Sequence, residues 1–147
     1  MQDNVIIEEA GKMTTEIFEA FQLLTPQLSS SSQAPSNDQL SEIISSPATH
    51  LFLALDQDSQ RILGVLTLAI FRIPTGVRAW IEDVVVDSAS RGKGIGRKLC
   101  EASIEKARKA GAKTVDLTSR PEREAANRLY RSMGFVMRDT NVYRFTI

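Results

Sequence analysis

The chain predicts a mixed α/β domain, one sheet flanked by helices, and three observations predict it. Apolar residues recur at helical spacing early in the chain, the middle is a run of β-branched segments joined by turn-rich stretches, and strands and helices alternate toward the end. The expected order is β-α-α-β-β-β-α-β-α-β-β. It belongs to a single domain over 1–147, because 147 residues support one core and leave little room for a second. No internal repeat interrupts it.

Each element has its own reason. Val5, Ile6 and Ile7 supply the β-branched side chains of a first strand over 4–8. Ile17, Phe18, Phe21, Leu24 and Leu28 lie on one helical face, with Thr14 or Thr15 placed to cap it. The serines at 29–32 and the Gln33-Ala34-Pro35 that follows have no period and read as a loop. Ser36 or Asn37 opens a second short helix carrying Leu40, Ile43 and Ile44, which ends before Pro47. Strands over 50–55 and 62–71 enclose the turn-rich 56–60, a hairpin signal. Residues 73–77, with Pro74 and Gly76, make another turn, and 79–86 is a strand dense in apolar side chains. A helix over 95–110 turns Leu99, Ala102, Ser103, Ile104 and Ala107 inward, and Gly111 stands at its C-cap. A strand over 113–118 follows. Ser119 and Glu122 have capping-box spacing for a helix to about Ser132, which Gly134 ends. Two last strands, 135–138 and 142–147, surround Asp139-Thr140-Asn141.

Composition narrows the function. Lys plus Arg and Asp plus Glu are 18 each, so the formal charge is zero. A general nucleic-acid binder needs a basic excess to displace counterions, so no nucleic-acid partner is expected. The single cysteine, Cys100, cannot close an internal disulfide, which excludes a disulfide-stapled secreted domain and fits a reducing cytosol. The N-terminus has no basic region followed by an apolar core, and the apolar stretch 63–71 is broken by Gly64 and Thr67 and too short to cross a bilayer. A cytoplasmic protein without a membrane partner is expected.

The stretch richest in chemistry runs from Glu82 to Leu99. An apolar strand ending in Val84-Val85-Val86-Asp87 enters a glycine-rich, basic turn, Arg91-Gly92-Lys93-Gly94-Ile95-Gly96-Arg97, that opens a helix. The first N–H groups of a helix lack internal partners and sit at the positive end of its dipole, so an anion is stabilised there. Glycines let the backbone approach a bulky anion, and Arg91, Lys93 and Arg97 add positive charge. The turn is built for a phosphate or pyrophosphate. It is not a Walker A loop, whose four-residue spacing is absent, nor a dinucleotide fingerprint, since Leu99 stands where a third glycine is needed.

Arg91, Gly94 and Gly96 after a Val-Val-Val-Asp strand resemble the GNAT superfamily of coenzyme A-dependent N-acetyltransferases, whose turn reads Gln/Arg-x-x-Gly-x-Gly/Ala. A second family signature, an asparagine shortly before an aromatic residue and then Gly-Phe, is matched by Asn127, Tyr130, Gly134 and Phe135. The resemblance covers roughly Leu51 to the C-terminus; the first 50 residues match in element type. It implies the GNAT fold, a mixed sheet of six to seven strands with a splayed central pair and about four helices. It further implies acetyl-CoA as co-substrate without a metal. The pantetheine arm would lie along Val84, Val85 and Val86, and the pyrophosphate on Arg91, Gly92, Lys93, Gly94, Ile95, Gly96 and Arg97, with Asn127 on the arm.

For catalysis, the resemblance makes Tyr130 the general acid that protonates the leaving thiolate; a phenol, with a reference pKa of about 10, carries its proton at neutral pH. Tyr130 as a core aromatic is the competing reading. Glu82 is the candidate base and Asp83 the alternative, since side chains alternate along a strand and only one of the two can face the cleft. His50 at a strand start reads as an exposed or structural residue, and Cys100 as packing. Phe71, Arg72, Arg78 and Trp80 are placed to line an acceptor pocket, as are Thr118, Ser119 and Arg120.

The implied reaction is direct transfer of an acetyl group to a primary amine on a small molecule or peptide. An aminosugar phosphate is one candidate, because the Glu82-Asp83 pair is similar to that of glucosamine-6-phosphate N-acetyltransferases. A catalytically silent acetyl-CoA-binding sensor or partner domain is the other reading. Edge strands near the C-terminus can pair between subunits, so a homodimer is also an expectation.

Overall fold

The computed structural model describes residues 4–147; Met1, Gln2 and Asp3, on which part of the N-terminal reading rests, lie outside the described residues. The chain divides into two compact units, Met1–Leu117 and Thr118–Ile147.

The first unit contains β1 (Val5–Glu9), α1 (Thr15–Leu28), α2 (Asn37–Ser45), β2 (Thr49–Asp56), β3 (Ile62–Ile73), β4 (Gly76–Val86), a 3-10 turn at Ser88–Ser90, α3 (Ile95–Lys109) and β5 (Val115–Asp116). Its sheet has the order β1-β2-β3-β4-β5. The first three pairings are antiparallel and β4–β5 is parallel. Local chemistry starts the helices where it should. The Thr14 hydroxyl accepts from the Ile17 N–H at 3.2 Å, and Ser36 and Gln39 form a reciprocal capping box at the start of α2.

Neighbouring residues of β3 show how the layers form. Val65 joins Leu51, Leu53, Leu55 and Val85 in a core closed by Ile17 and Leu24 of α1 and Leu40 of α2. Gly64, one residue earlier, must face the opposite side, where a Cβ would lie 3.4 Å from Leu99 of α3. The sheet is therefore covered by α1 and α2 on one face and by α3 on the other. Leu99, Cys100, Ser103 and Ala107 are the inward stripe of α3.

The second unit holds α4 (Glu124–Ser132). It starts later than the Ser119–Glu122 spacing predicts, with Arg123 as an N-cap that makes no side-chain hydrogen bond. The Asn127 amide ties the preceding loop to the helix, donating to the carbonyls of Arg120 and Arg123 at 2.9 and 2.8 Å.

The mixed α/β class stands, with five strands among the described residues instead of six to seven. The sheet differs from expectation at its C-terminal end, in the length of one strand and in the two strands missing from the count. The strand expected over 113–118 is paired only at Val115 and Asp116. The segments 135–138 and 142–147 form no strand at all. Alternating side chains give a segment two faces but supply no hydrogen-bonding partner, and a strand exists only where a partner meets its backbone.

Candidate functional site

β4 is paired with β3 along most of its length, but β5 meets it only at Ala79 and Trp80. From 81 to 86 the β5-facing edge of β4 carries no paired strand among the described residues, so the sheet opens there. A bulge lies inside the open stretch. Thr67 pairs with Glu82 and Val65 with Val85, which leaves Leu66 opposite both Asp83 and Val84. Asp83 absorbs the extra residue with a left-handed backbone, φ 49°. The strict alternation that allows one acid to face outward is thereby broken, and Glu82 and Asp83 are both exposed. Partial burial and the neighbouring Asp83 charge push the Glu82 carboxyl above the usual carboxylate range.

Register sorts the acceptor-side candidates. Thr67, Ala69 and Phe71 pair with Glu82, Trp80 and Arg78, so these six share one face, while Arg72, opposite Val77, belongs to the other. Arg78 reaches Asp116 at 3.7 Å. Thr118, Ser119 and Arg120 belong to the second unit.

Beyond the open edge the chain turns into α3. Gly92 and Gly94 both have φ 78°, a left-handed conformation that glycine adopts without strain. A Cβ at either would meet nothing within 4 Å. Gly94 is the N-cap of α3 and provides no side-chain cap hydrogen bond, so no capping side chain fills the helix start. Arg91, Lys93 and Arg97 are exposed around it, and the Arg91 Nε donates to the Val86 carbonyl at 3.1 Å. The turn thus combines positive charge, backbone amides and room above its glycines, which fits a diphosphate. Gly96 is half-buried, and the side chains of Ile95 and Val85 are buried in the core. Only the backbones of Ile95 and Val85 are left for a ligand. Val84 and Val86 are half-buried on the open edge.

In the second unit, the Tyr130…Gly134-Phe135 spacing has a local cause. Met133 is the C-cap of α4; the Gly134 N–H bonds the Arg131 carbonyl and the Phe135 N–H bonds the Tyr130 carbonyl at 3.0 Å, a Schellman stop with Gly134 at φ 100°. The Phe135 ring meets Tyr130 edge-on, centroids 5.7 Å apart. Glycine and phenylalanine therefore end the helix and hold the tyrosine ring. α3 stops in the same way at Gly111 and Ala112.

Two residues have structural roles, as their positions predict. His50 Nδ1 lies 2.8 Å from Glu9 Oε2, and Lys106 Nζ lies 3.0 Å from Glu9 Oε1. Cys100 is fully buried, and burial pushes its thiol up to about 11. The sequence reading missed a third group. Asp87, 4% exposed, accepts from Arg61 and Gln27, and the only local sign of it is an acid closing an apolar strand.

Comparison with known proteins shows what the chain is similar to. The Acetyltransferase (GNAT) family model matches residues 17–135. N-alpha-acetyltransferase 30 of Schizosaccharomyces pombe is 33% identical over 95 residues, 64% of this chain and 61% of that protein. A probable glucosamine 6-phosphate N-acetyltransferase 2 of Oryza sativa is 43% identical over 56 residues, 38% of this chain and 32% of that protein. The chain thus spans less than two thirds of the length of either. Among solved structures, an aminoglycoside acetyltransferase from an uncultured soil metagenomic sample, in complex with sisomicin, superposes with a TM-score of 0.85 at 20% identity, over 99% of this chain and 97% of that one, and shares the fold. An open sheet edge leading into an uncapped glycine turn, under a family match over 17–135, means that the chain belongs to the acetyltransferase (GNAT) family.

Proposed function

We propose that this chain transfers an acetyl group from acetyl-CoA to a primary amine by direct attack. The observation that carries the reading is the β4 edge left open from 81 to 86 and continuous with the Arg91–Gly94 turn. Bound acetyl-CoA supplies an acyl group activated as a thioester. The chain's backbone along Val84, Val85 and Val86 holds the pantetheine arm, with the Val86 carbonyl already engaged by Arg91. Arg91, Gly92, Lys93, Gly94, Ile95, Gly96 and Arg97 hold the pyrophosphate. Asn127 has spent both amide hydrogens on its own loop and offers the arm its Oδ1 acceptor.

Glu82 takes a proton from the attacking amine, through water, and Tyr130 returns one to the departing thiolate. A backbone N–H on the open edge stabilises the oxyanion, a contribution of roughly 10²–10³ in rate. The exposed pair Glu82 and Asp83 favours a cationic amine. An aminosugar phosphate is the second reading, on that acid pair and the likeness to the rice protein. We further propose a cytoplasmic location. A homodimer is also proposed, on the alternating sequence of 142–147, which pairs with no strand among the described residues.

Thermal-shift titration tests the cofactor site. Acetyl-CoA at about 100 times its Kd stabilises a protein by about 2.7 kcal/mol, and the wild type should show this. Gly94→Asp and Arg91→Glu, which set a carboxylate against the diphosphate, should lose it, while Gly94→Asn keeps the left-handed turn and most of the response. Equal stabilisation of all four proteins would remove the site. Thiol release across a panel of amines that includes glucosamine 6-phosphate then separates the acceptor readings, and silence across the panel with binding intact would favour a sensor.

A further inference from the structure

The turn at Arg91–Gly94 is only as well placed as the chain entering it, and that entry is clamped from a distant helix. Asp87, the first residue after β4, is 4% exposed. A carboxylate removed from water needs compensation. Here Arg61 donates to Oδ2 at 2.6 Å and the Gln27 Nε2 donates to Oδ1 at 3.1 Å. The other end of the same Gln27 amide, Oε1, accepts from the Ser88 N–H at 2.8 Å. These contacts leave the amide one orientation, because a carboxylate accepts only from its NH2 and a backbone N–H donates only to its oxygen. The main chain is held at the same point: the Asp87 N–H reaches the Leu63 carbonyl and the Ser90 N–H reaches the Asp87 carbonyl, each at 2.8 Å.

Gln27 lies in the last turn of α1, after Pro26. One side-chain amide therefore joins α1 to the residues where β4 becomes the turn, and a buried acid fixes that amide. We propose that Gln27 and Asp87 are positioning residues for the pyrophosphate turn, holding its amides where a diphosphate needs them. The proposal rests on the acetyl-CoA reading of that turn. Neither residue touches the ligand; each acts through the backbone of Ser88, and a cradle of fixed amides loses its advantage when its entry moves.

The test compares two thioesters by isothermal titration: acetyl-CoA, and S-acetylpantetheine, which ends before the pyrophosphate. Gln27→Ala frees the N–H of the exposed Ser88 and leaves the Asp87 carboxylate to Arg61, and it should fold. It should weaken acetyl-CoA binding about tenfold, the equivalent of one lost hydrogen bond, and leave S-acetylpantetheine unchanged. Gln27→Glu, which keeps an acceptor for Ser88 but sets a second carboxylate against Asp87, should also weaken acetyl-CoA selectively. Wild-type affinity of Gln27→Ala for both compounds, or equal loss for both, would overturn the positioning role alone. A wild-type protein that binds neither compound would overturn the acetyl-CoA reading and this role with it.

Discussion

At Asp83 a non-glycine residue takes a left-handed backbone inside an otherwise regular strand. Such a conformation costs of order 1–3 kcal/mol and persists only where the surroundings impose it. Its effect is to turn two consecutive acids to the surface and to hold Glu82 above its usual titration range, by partial burial first and the Asp83 charge second. The sign of the consequence follows. A carboxyl whose folded pKa is raised stabilises the fold below its unfolded value and loses that contribution as pH rises through the folded one. Glu82→Gln should therefore be at least as stable as wild type at neutral pH by thermal melting, yet lose activity. In the wild type, kcat/KM should fall on the acid side with a midpoint above the usual carboxylate range, and that limb should vanish in Glu82→Gln. An unaltered pH profile would pass the base role to Asp83. Tyr130→Phe should lower kcat by roughly 10²–10⁴-fold with acetyl-CoA still bound, and undiminished turnover would leave Tyr130 a ring packed on Phe135. The thiol assay itself is clean, because Cys100 is buried and its thiol is held at about 11, so the native protein should not react with a thiol reagent.

Among the elements, the pairing of β3 with β4 depends on one small residue. A Cβ at Gly64 would lie 3.0 Å from the Val85 carbonyl and 3.3 Å from Val86 on the paired strand, and 3.4 Å from Leu99 of α3, so β4 comes this close because the position carries no side chain. Gly64→Val should cost about 1–3 kcal/mol as overpacking, read as a lower midpoint in urea, and Gly64→Ala less; no change in either would mean that β4 can shift freely. The Schellman stops at Gly111 and Gly134 were legible, because each motif is contained within a few residues. β5 was legible in place but not in length. Val115 and Leu117 carry the pattern, while β4, bulged at Asp83, determines how far the pairing runs. The segments 135–138 and 142–147 show the same limit, since their alternation says nothing about a partner.

Across the first unit, charge is distributed in ties between elements. Glu9 of β1 binds His50 of β2 and Lys106 of α3, bringing both strands and the helix to one carboxylate. Partial burial pushes the Glu9 carboxyl up, but His50 and Lys106 more than reverse this, and it titrates below the usual range. A depressed carboxyl contributes stability above its unfolded pKa and loses it as pH falls through the folded one. Glu9→Gln should thus melt below the wild type at neutral pH, and the gap should close as acid takes the solution below the usual carboxylate range. A gap that persisted in strong acid would mean that packing, not charge, sets the contribution of Glu9.

What the sequence determined by itself is whatever a short window contains: helix faces, caps and stops, a basic glycine turn at the start of α3, and two signatures that name the family. What only the tertiary structure decided are relations between distant residues. It set where β5 leaves β4, how the bulge turns Glu82 and Asp83 outward together, and that Gln27 reaches Ser88 across 61 positions of chain. The physical reason is that dihedral preferences and caps act over a few residues, whereas strand pairing, burial of an acid and the shift of a carboxyl depend on groups that only folding brings together.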